Sequence, residues 1–216
     1  MLTCGIDEAG RGCIIGPLVL CGVNATEDQE QRLKNIGVKD SKLLTPVQRE
    51  RLYEQIISIV PGHLCIAVTP DEIDVAVLSD FTNLNWLEAD KAADIINGLK
   101  PERTIIDCPS PNIKAYTDYL RQRVKGKSAL LCAHHADAEY VVVGAASIIA
   151  KVTRDRAIEQ IKKSIGHDFG SGYLTDPKTQ SFLRASWDTH RDLFRKSWAP
   201  YRDISGMKKQ KKLGEY

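Results

Sequence analysis

The stretch GIDEAGRG, residues 5–12, sets adjacent carboxylates, Asp7 and Glu8, at the end of a short apolar run and places an arginine between two glycines, Gly10-Arg11-Gly12, just after them. Two further apolar runs end in acid, RTIID in Asp107 and LLCAHHAD in Asp137. A single acid in such a place is an ordinary solvated strand end or helix cap. Three such endings in one chain point to a shared site, because ligands of α/β proteins gather beyond strand ends. Side chains alternate between faces along a strand, so Asp7 and Glu8 share a site only if the strand ends or twists at Glu8, which Ala9-Gly10 permits.

Carboxylates brought together repel one another and raise each other's pKa unless a divalent cation neutralises them. Oxygen donors without His or Cys suit a hard cation, Mg²⁺ or Mn²⁺. Two such ions about 3.5–4 Å apart serve in-line attack on a phosphodiester, one activating water and the other stabilising the leaving oxygen. Phosphoryl chemistry is the expected activity. Gly10-Arg11-Gly12 is not a dinucleotide fingerprint, since G-x-G-x-x-G requires glycine where Ile15 stands. It is a turn whose bare backbone can come close to a polymer, with N–H and C=O groups for a ribose hydroxyl and Arg11 for a phosphate.

The elements that position these groups follow from pattern. MLTCGID and GPLVLCGVNA are short apolar runs separated by glycines and predict a hairpin of two strands. TPVQRERLYEQIISIV has Thr45 at an N-cap and Pro46 at the first helical position. HLCIAVTP returns to strand, and DFTNLNWLEADKAADIINGL predicts an amphipathic helix ending at Gly98. ERTIIDCPSP and ALLCAHHAD predict two more strands, and a long helix from about Val142 to Ile165 closes on Gly166. Further helical stretches follow Gly170-Ser171-Gly172 and lead into a basic tail. Strands first, then alternating strands and helices, define an α/β fold with a mixed central β-sheet flanked by helices and a helical C-terminal region. The expected organisation is a catalytic domain over 1–180 and a small helical extension with a basic tail over 181–216.

The chain has 216 residues, 43% hydrophobic and 27% charged, with net charge +2 from 30 basic and 28 acidic side chains. Nucleic-acid contact therefore rests on where the cations sit, and they cluster late, in KVTRDR, THRDLFRKSW and MKKQKK. Six cysteines lie far apart without C-x-x-C spacing, which suggests neither zinc nor a redox pair; they are expected to be reduced and mostly buried. The N-terminus has no basic segment followed by an apolar one, and the longest apolar stretch is too short to span a bilayer. A soluble, cytoplasmic, monomeric protein is expected.

The stretches GIDEAGRG, GVKDSKLL, TIIDCPSP, HHADAEYVVVGAASIIAKVTRD, FGSGYLTDP and SWAPYRDI, in this order along nearly the whole chain, resemble type 2 ribonuclease H, ribonuclease HII, in its archaeal form. The resemblance implies an RNase H-like fold and four metal-binding catalytic carboxylates, Asp7, Glu8, Asp107 and Asp137. Asp137 is selected over Asp94 and Asp118 by its HAD context before AASIIAKV. It also implies that the backbone of Gly10, Arg11 and Gly12 detects the 2′-OH at an RNA–DNA junction, and that Tyr173 packs against the next deoxyribose. Recognition of the 2′-OH is physically sufficient, since it is the local group that separates RNA from DNA. By the same likeness Lys42, Ser147, Lys151 and Arg154 contact phosphates. Leu174 departs from the family, which often carries proline there, and bears on the rigidity of the tyrosine loop.

The implied substrates are RNA–DNA hybrids and duplex DNA with embedded ribonucleotides, cut to 3′-OH and 5′-phosphate ends, with a role in ribonucleotide removal during DNA replication and repair. His134, His135 and His167 are not required by two-metal hydrolysis. Two alternatives remain open at this level: another nuclease or phosphotransferase on the same fold, and a non-catalytic nucleic-acid-binding protein, which gains nothing from carboxylates beside phosphates. The tail QKKLGEY carries Gln210, Leu213 and Tyr216 at the spacing of part of a sliding-clamp binding peptide. The other reading of it is a plain basic tail attracted to phosphate.

Overall fold

The computed structural model describes residues 1–38 and 44–206; Lys42 and the tail residues Gln210, Leu213 and Tyr216 lie outside them. The described chain folds around one five-stranded mixed sheet. β1 (Thr3–Ala9) and β2 (Leu18–Ala25) form the expected antiparallel pair, with Thr3 opposite Ala25 and Ala9 opposite Val19. β3 (His63–Val68) pairs antiparallel with β2, while β4 (Arg103–Asp107) and β5 (Ala129–Ala133) continue the sheet in parallel beyond β1, giving the order β3-β2-β1-β4-β5. Parallel pairing turns the C-terminal ends of β1 and β4 to the same edge, which brings Asp7 and Asp107 together.

Helices cover both faces. On one side α1 (Glu27–Asn35), α2 (Pro46–Ile59) and the long α7 (Val141–Ile165) enclose a core of Val19, Val23, Ile56, Ile105 and the first turns of α7. On the other, α4 (Leu84–Leu99) and α5 (Ile113–Arg121) pack on Cys4, Ile6, Leu20 and Ile106. Two glycines permit this closeness: a Cβ at Gly5 would collide with the backbone of Val142 and Val143, and one at Gly22 with Ile95. α7 can therefore lie directly against β1. α3 (Pro70–Leu78) follows β3 at once, where Thr69 caps its start and Glu72 completes the capping box, as Gln48 does for Thr45.

Several sequence expectations are corrected. The helix expected to end at Gly98 continues to Leu99, and Lys100 takes the left-handed C-cap conformation at φ 50°. The strand after Ser128 ends at Ala133 rather than at Asp137; His135 turns the chain in the left-handed region, and Asp137 sits on a one-turn helix, α6 (Ala136–Glu139). α8 (Pro177–Ser186) spans residues 180 and 181. Phe182, Phe194 and Tyr201, the last in α9 (Ala199–Ile204), share one buried cluster with Ile14, Ile15 and Ile158, so the C-terminal helices complete the same body. Cysteines expected to be reduced include one bonded pair: Cys21 and Cys65 face each other across the β2–β3 register and form a disulfide, a pairing that 44 residues of separation conceal in the sequence. Cys4, Cys13, Cys108 and Cys132 are free and buried, as expected.

Candidate active site

Among the described residues, Asp7, Asp107 and Asp137 form a group whose ligand oxygens all lie within 4.8 Å of one another. Each is delivered differently. Asp7 and Asp107 stand at adjacent parallel strand ends, while Asp137 arrives on α6, whose first N–H, from Ala136, donates to Asp107 Oδ1 at 3.1 Å. The Cys108 N–H donates to the carbonyl of Ala133 (2.9 Å), and the Cys108 carbonyl meets His134 Nδ1 at 3.1 Å. His134 thus serves the frame of the α6 turn.

Asp7 is buried beneath α7. Burial pushes its carboxyl up to about 6, and the neighbouring Asp107 adds to this; a hydrogen bond from Ser147, the Glu8 N–H at 2.7 Å and the charge of Lys151 act the other way. Lys151 Nζ donates to Ser147 Oγ at 2.8 Å, so Lys151, Ser147 and Asp7 form one chain, with both partners presented by a single face of α7.

β1 does not end at Glu8 but runs through Ala9, with Glu8 opposite Leu20. Alternation therefore turns Glu8 to the α4 side of the sheet. Burial first, then the charges of Asp7, Glu88 and Asp107, drive its carboxyl well above the usual range, while Arg11 counters them. Glu8 joins the acidic group from the other face of the strand and lies outside the tight three-aspartate set. Donors of oxygen only, with Asp7 and Glu8 raised toward protonation by burial and neighbouring charge, fit a hard divalent cation, which would relieve both.

The loop after β1 is held by groups far away in sequence. Gly10 has φ 88°, and a Cβ there would strike the side chain of Arg154, so no other residue fits. Arg11 Nε donates to Glu88 Oε1 (2.9 Å) and Oε2 (3.2 Å), and its Nη2 to Asn85 Oδ1 (2.7 Å), both on α4. Glu88, 1% exposed, has its carboxyl raised to about 7 by burial, against the pull of Arg11. Arg154 is buried and donates from Nη2 to the Ser171 carbonyl (3.0 Å). Its guanidinium carbon lies 4.9 Å from the centre of the Tyr173 ring. The Ile14 and Ile15 N–H groups both donate to the Gly172 carbonyl, at 2.9 and 3.3 Å, so the tyrosine loop and the glycine loop form one unit. Tyr173 keeps 36% of its surface exposed beside that unit.

The structure thus gathers Asp7, Asp107 and Asp137, with Glu8 behind them, next to Gly10, Arg11, Gly12 and Tyr173. Ser147 and Arg154, expected at phosphates, are buried and hold Asp7 and the tyrosine loop respectively; Lys151 is half-buried. Sequence reading missed Asn85, Glu88 and Arg195: the first two look like ordinary polar positions of a helix, and Arg195 like one cation of a basic stretch. A cavity of about 800 Å³ between α2, α7 and the loop at Gly170 is not lined by Asp7, Glu8, Asp107 or Asp137. The carboxylates lie elsewhere, at the C-terminal ends of β1 and β4 and on α6.

An RNase H-like α/β fold with acidic groups at its central strand ends defines the class: a metal-dependent nuclease of this fold. The family model for ribonuclease HII matches residues 4–201. A ribonuclease HII from Pyrococcus horikoshii is 41% identical over 209 residues, covering 94% of this chain and 93% of its own. Among solved structures, ribonuclease H2 from Pyrococcus horikoshii superposes with TM-score 0.86 at 40% identity, covering 96% of this chain and 98% of the other. The RNase HII in a PCNA:RNase HII complex from Archaeoglobus fulgidus gives 0.83 at 38%, covering 92% and 95%. The chain belongs to the ribonuclease HII family, hydrolytic and metal-dependent endonucleases of RNA–DNA hybrids, which removes the non-catalytic reading. No helix among the described residues is long and apolar enough to cross a membrane.

Proposed function

We propose that the protein hydrolyses the RNA strand of RNA–DNA hybrids and also incises duplex DNA on the 5′ side of a single embedded ribonucleotide, leaving a 3′-hydroxyl and a 5′-phosphate. The observation that carries this is the adjacency, on one continuous strand and turn, of Asp7, one member of the aspartate group, and the Gly10–Gly12 backbone, so that a reader of the sugar lies beside the acids. Asp7, Glu8, Asp107 and Asp137 would hold two divalent cations, Mg²⁺ or Mn²⁺. When bound, these supply an activated water and charge stabilisation at the leaving oxygen.

The chain's own residues do the rest. Ser147, in turn held by Lys151, fixes the orientation of Asp7. Gly10, Arg11 and Gly12 offer backbone groups to the 2′-OH, and the exposed face of Tyr173 packs on the following deoxyribose. Lys151 and Arg11 are the phosphate contacts of this face, with Lys42 a further one beyond the described residues. Ser147 and Arg154 support them from inside. All these groups belong to one chain, in keeping with action as a monomer in the cytoplasm, in ribonucleotide removal during DNA replication and repair. The tail with Gln210, Leu213 and Tyr216 is proposed to engage a sliding clamp; the PCNA complex of the Archaeoglobus fulgidus relative supports this.

The test is a duplex DNA with one ribonucleotide, incubated with Mg²⁺ and with Mn²⁺ separately, and the cut mapped at nucleotide resolution. The expected product is one incision 5′ of the ribonucleotide with a 3′-hydroxyl. A 2′,3′-cyclic phosphate means that the 2′-OH, not water, is the nucleophile and overturns the reading.

A further inference from the structure

Arg195 is the bulkiest of the fully buried side chains, and the chemistry described so far leaves it unused. It reaches the glycine loop from the C-terminal stretch FRKSW. Its Nη1 donates to the carbonyl of Arg11 at 2.6 Å, and its Nη2 to the carbonyls of Gly10 at 2.6 Å and Gly16 at 3.2 Å. The surrounding backbone is stitched to the same loop: the Arg195 N–H donates to Ile14 (3.0 Å), and the Gly16 N–H to Leu193 (3.1 Å). Behind it, the buried carboxylate of Asp74 on α3 accepts the N–H groups of Lys196 and Ser197, each at 2.8 Å, and the Ser197 hydroxyl at 2.6 Å. Burial lowers the guanidinium to about 10, so it remains charged at neutral pH.

Carbonyl direction dictates amide direction. In a trans peptide the C=O and the following N–H point opposite ways, and no peptide bond among the described residues is cis. The Gly10 and Arg11 carbonyls turn inward onto Arg195, so the N–H groups of Arg11 and Gly12 are directed away from it. Neither amide bonds another backbone carbonyl among the described residues, and space is open around Gly12. A positive charge on the two carbonyls also polarises their peptide units and strengthens the amides as donors.

We infer that Arg195 is a positioning residue for sugar discrimination: by holding the Gly10 and Arg11 carbonyls it aims two adjacent amides at the ribose hydroxyl. It touches neither substrate nor metal. The role rests on the assignment of the Gly10–Gly12 backbone to the 2′-OH, and the experiment separates the two.

The measurement is a discrimination ratio, Kd for an all-DNA duplex divided by Kd for the same duplex with one ribonucleotide, taken in EDTA at one salt concentration, alongside Tm. The wild type is expected to prefer the ribonucleotide. Arg195→Lys keeps the charge but cannot hold three carbonyls with one fork, and the ratio is expected to fall about fivefold or to unity if it starts lower, one hydrogen bond's worth. Asp74→Asn loosens the segment behind Arg195 and is expected to lower the ratio about twofold; it carries the test if the lysine variant does not fold. A folded variant with a lower Tm and the wild-type ratio shows that Arg195 only stabilises, and overturns the inference. A wild type that binds both duplexes equally overturns the 2′-OH assignment itself, and this role with it.

Discussion

Two regions at the end of β1 are built on opposite electrostatic plans. At the carboxylate cluster, Asp7, Asp107 and Asp137 crowd within 4.8 Å, with Asp7 buried and raised to about 6. A few residues on, the charges around the glycine loop have partners from the chain: the part-exposed Arg11 on buried Glu88, Arg154 on the Ser171 carbonyl and Arg195 on three carbonyls. The first region is complete only when a cation arrives, since repulsion and desolvation both oppose the charged form. The second is complete beforehand. A loop held in advance suits discrimination of one hydroxyl, because a loop able to adapt would accept either sugar.

The largest test of this contrast is Asp7→Asn. If Asp7 holds metal as proposed, its loss is expected to lower kcat by a factor of about 10³ or more, as removal of a central electrostatic group does. Metal-free stability should instead rise at pH 8, by about 1–2 kcal/mol, because a charged buried group has gone. The folded Asp7 carboxyl lies above its usual value of 3.8, at about 6. Its protonated form therefore favours the fold, and this contribution is present below pH 3.8 and lost as pH rises through 6. The advantage of the variant should accordingly shrink as pH falls from 8 to 4, as thermal unfolding in EDTA would reveal. If activity falls only in step with folding, Asp7 is structural and the contrast collapses.

Tyr173→Ala probes the reader without touching the acids. Loss of a ring packing on a sugar is expected to cost about 1–3 kcal/mol by analogy with base stacking, roughly 5- to 150-fold in kcat/KM on a single-ribonucleotide duplex. Cleavage of continuous RNA in a hybrid, where the next sugar bears a hydroxyl, should fall less, so the ratio of the two must narrow. Both substrates are to be compared at one salt concentration, since phosphate contacts make absolute values salt-dependent. An unchanged ratio shows that Tyr173 does not read the junction.

The smallest effect is expected from Glu88→Gln. An amide oxygen still accepts from Arg11, and burial already raises this carboxyl to about 7, so Tm should change little. Arg11 loses its charged anchor, and KM should rise by about three- to fivefold, near 1 kcal/mol, with kcat within twofold. A kcat loss as large as that of Asp7→Asn would assign Glu88 to the metal site instead and erase the boundary between the two regions.

What the sequence determined by itself was local and periodic. Apolar runs ending in acid located Asp7 and Asp107, Thr45-Pro46 marked the start of α2, and Gly166 marked the end of α7, because strand alternation, caps and left-handed glycines are written in neighbouring residues. Wherever the cause lay in packing, that legibility stopped. Gly98 resembles a helix end, yet the helix passes through it and stops where Lys100 turns left-handed; the disulfide follows from strand register, and Asp137 from a turn that re-aims it. Only the tertiary structure decided the surroundings of the glycine loop. Glu88 is 77 residues from Arg11, and Arg195 is 184 from the same residue. No local pattern marks such a pair, because a buried charge is recognised by the partner that desolvation obliges it to find, and that partner is chosen by the fold.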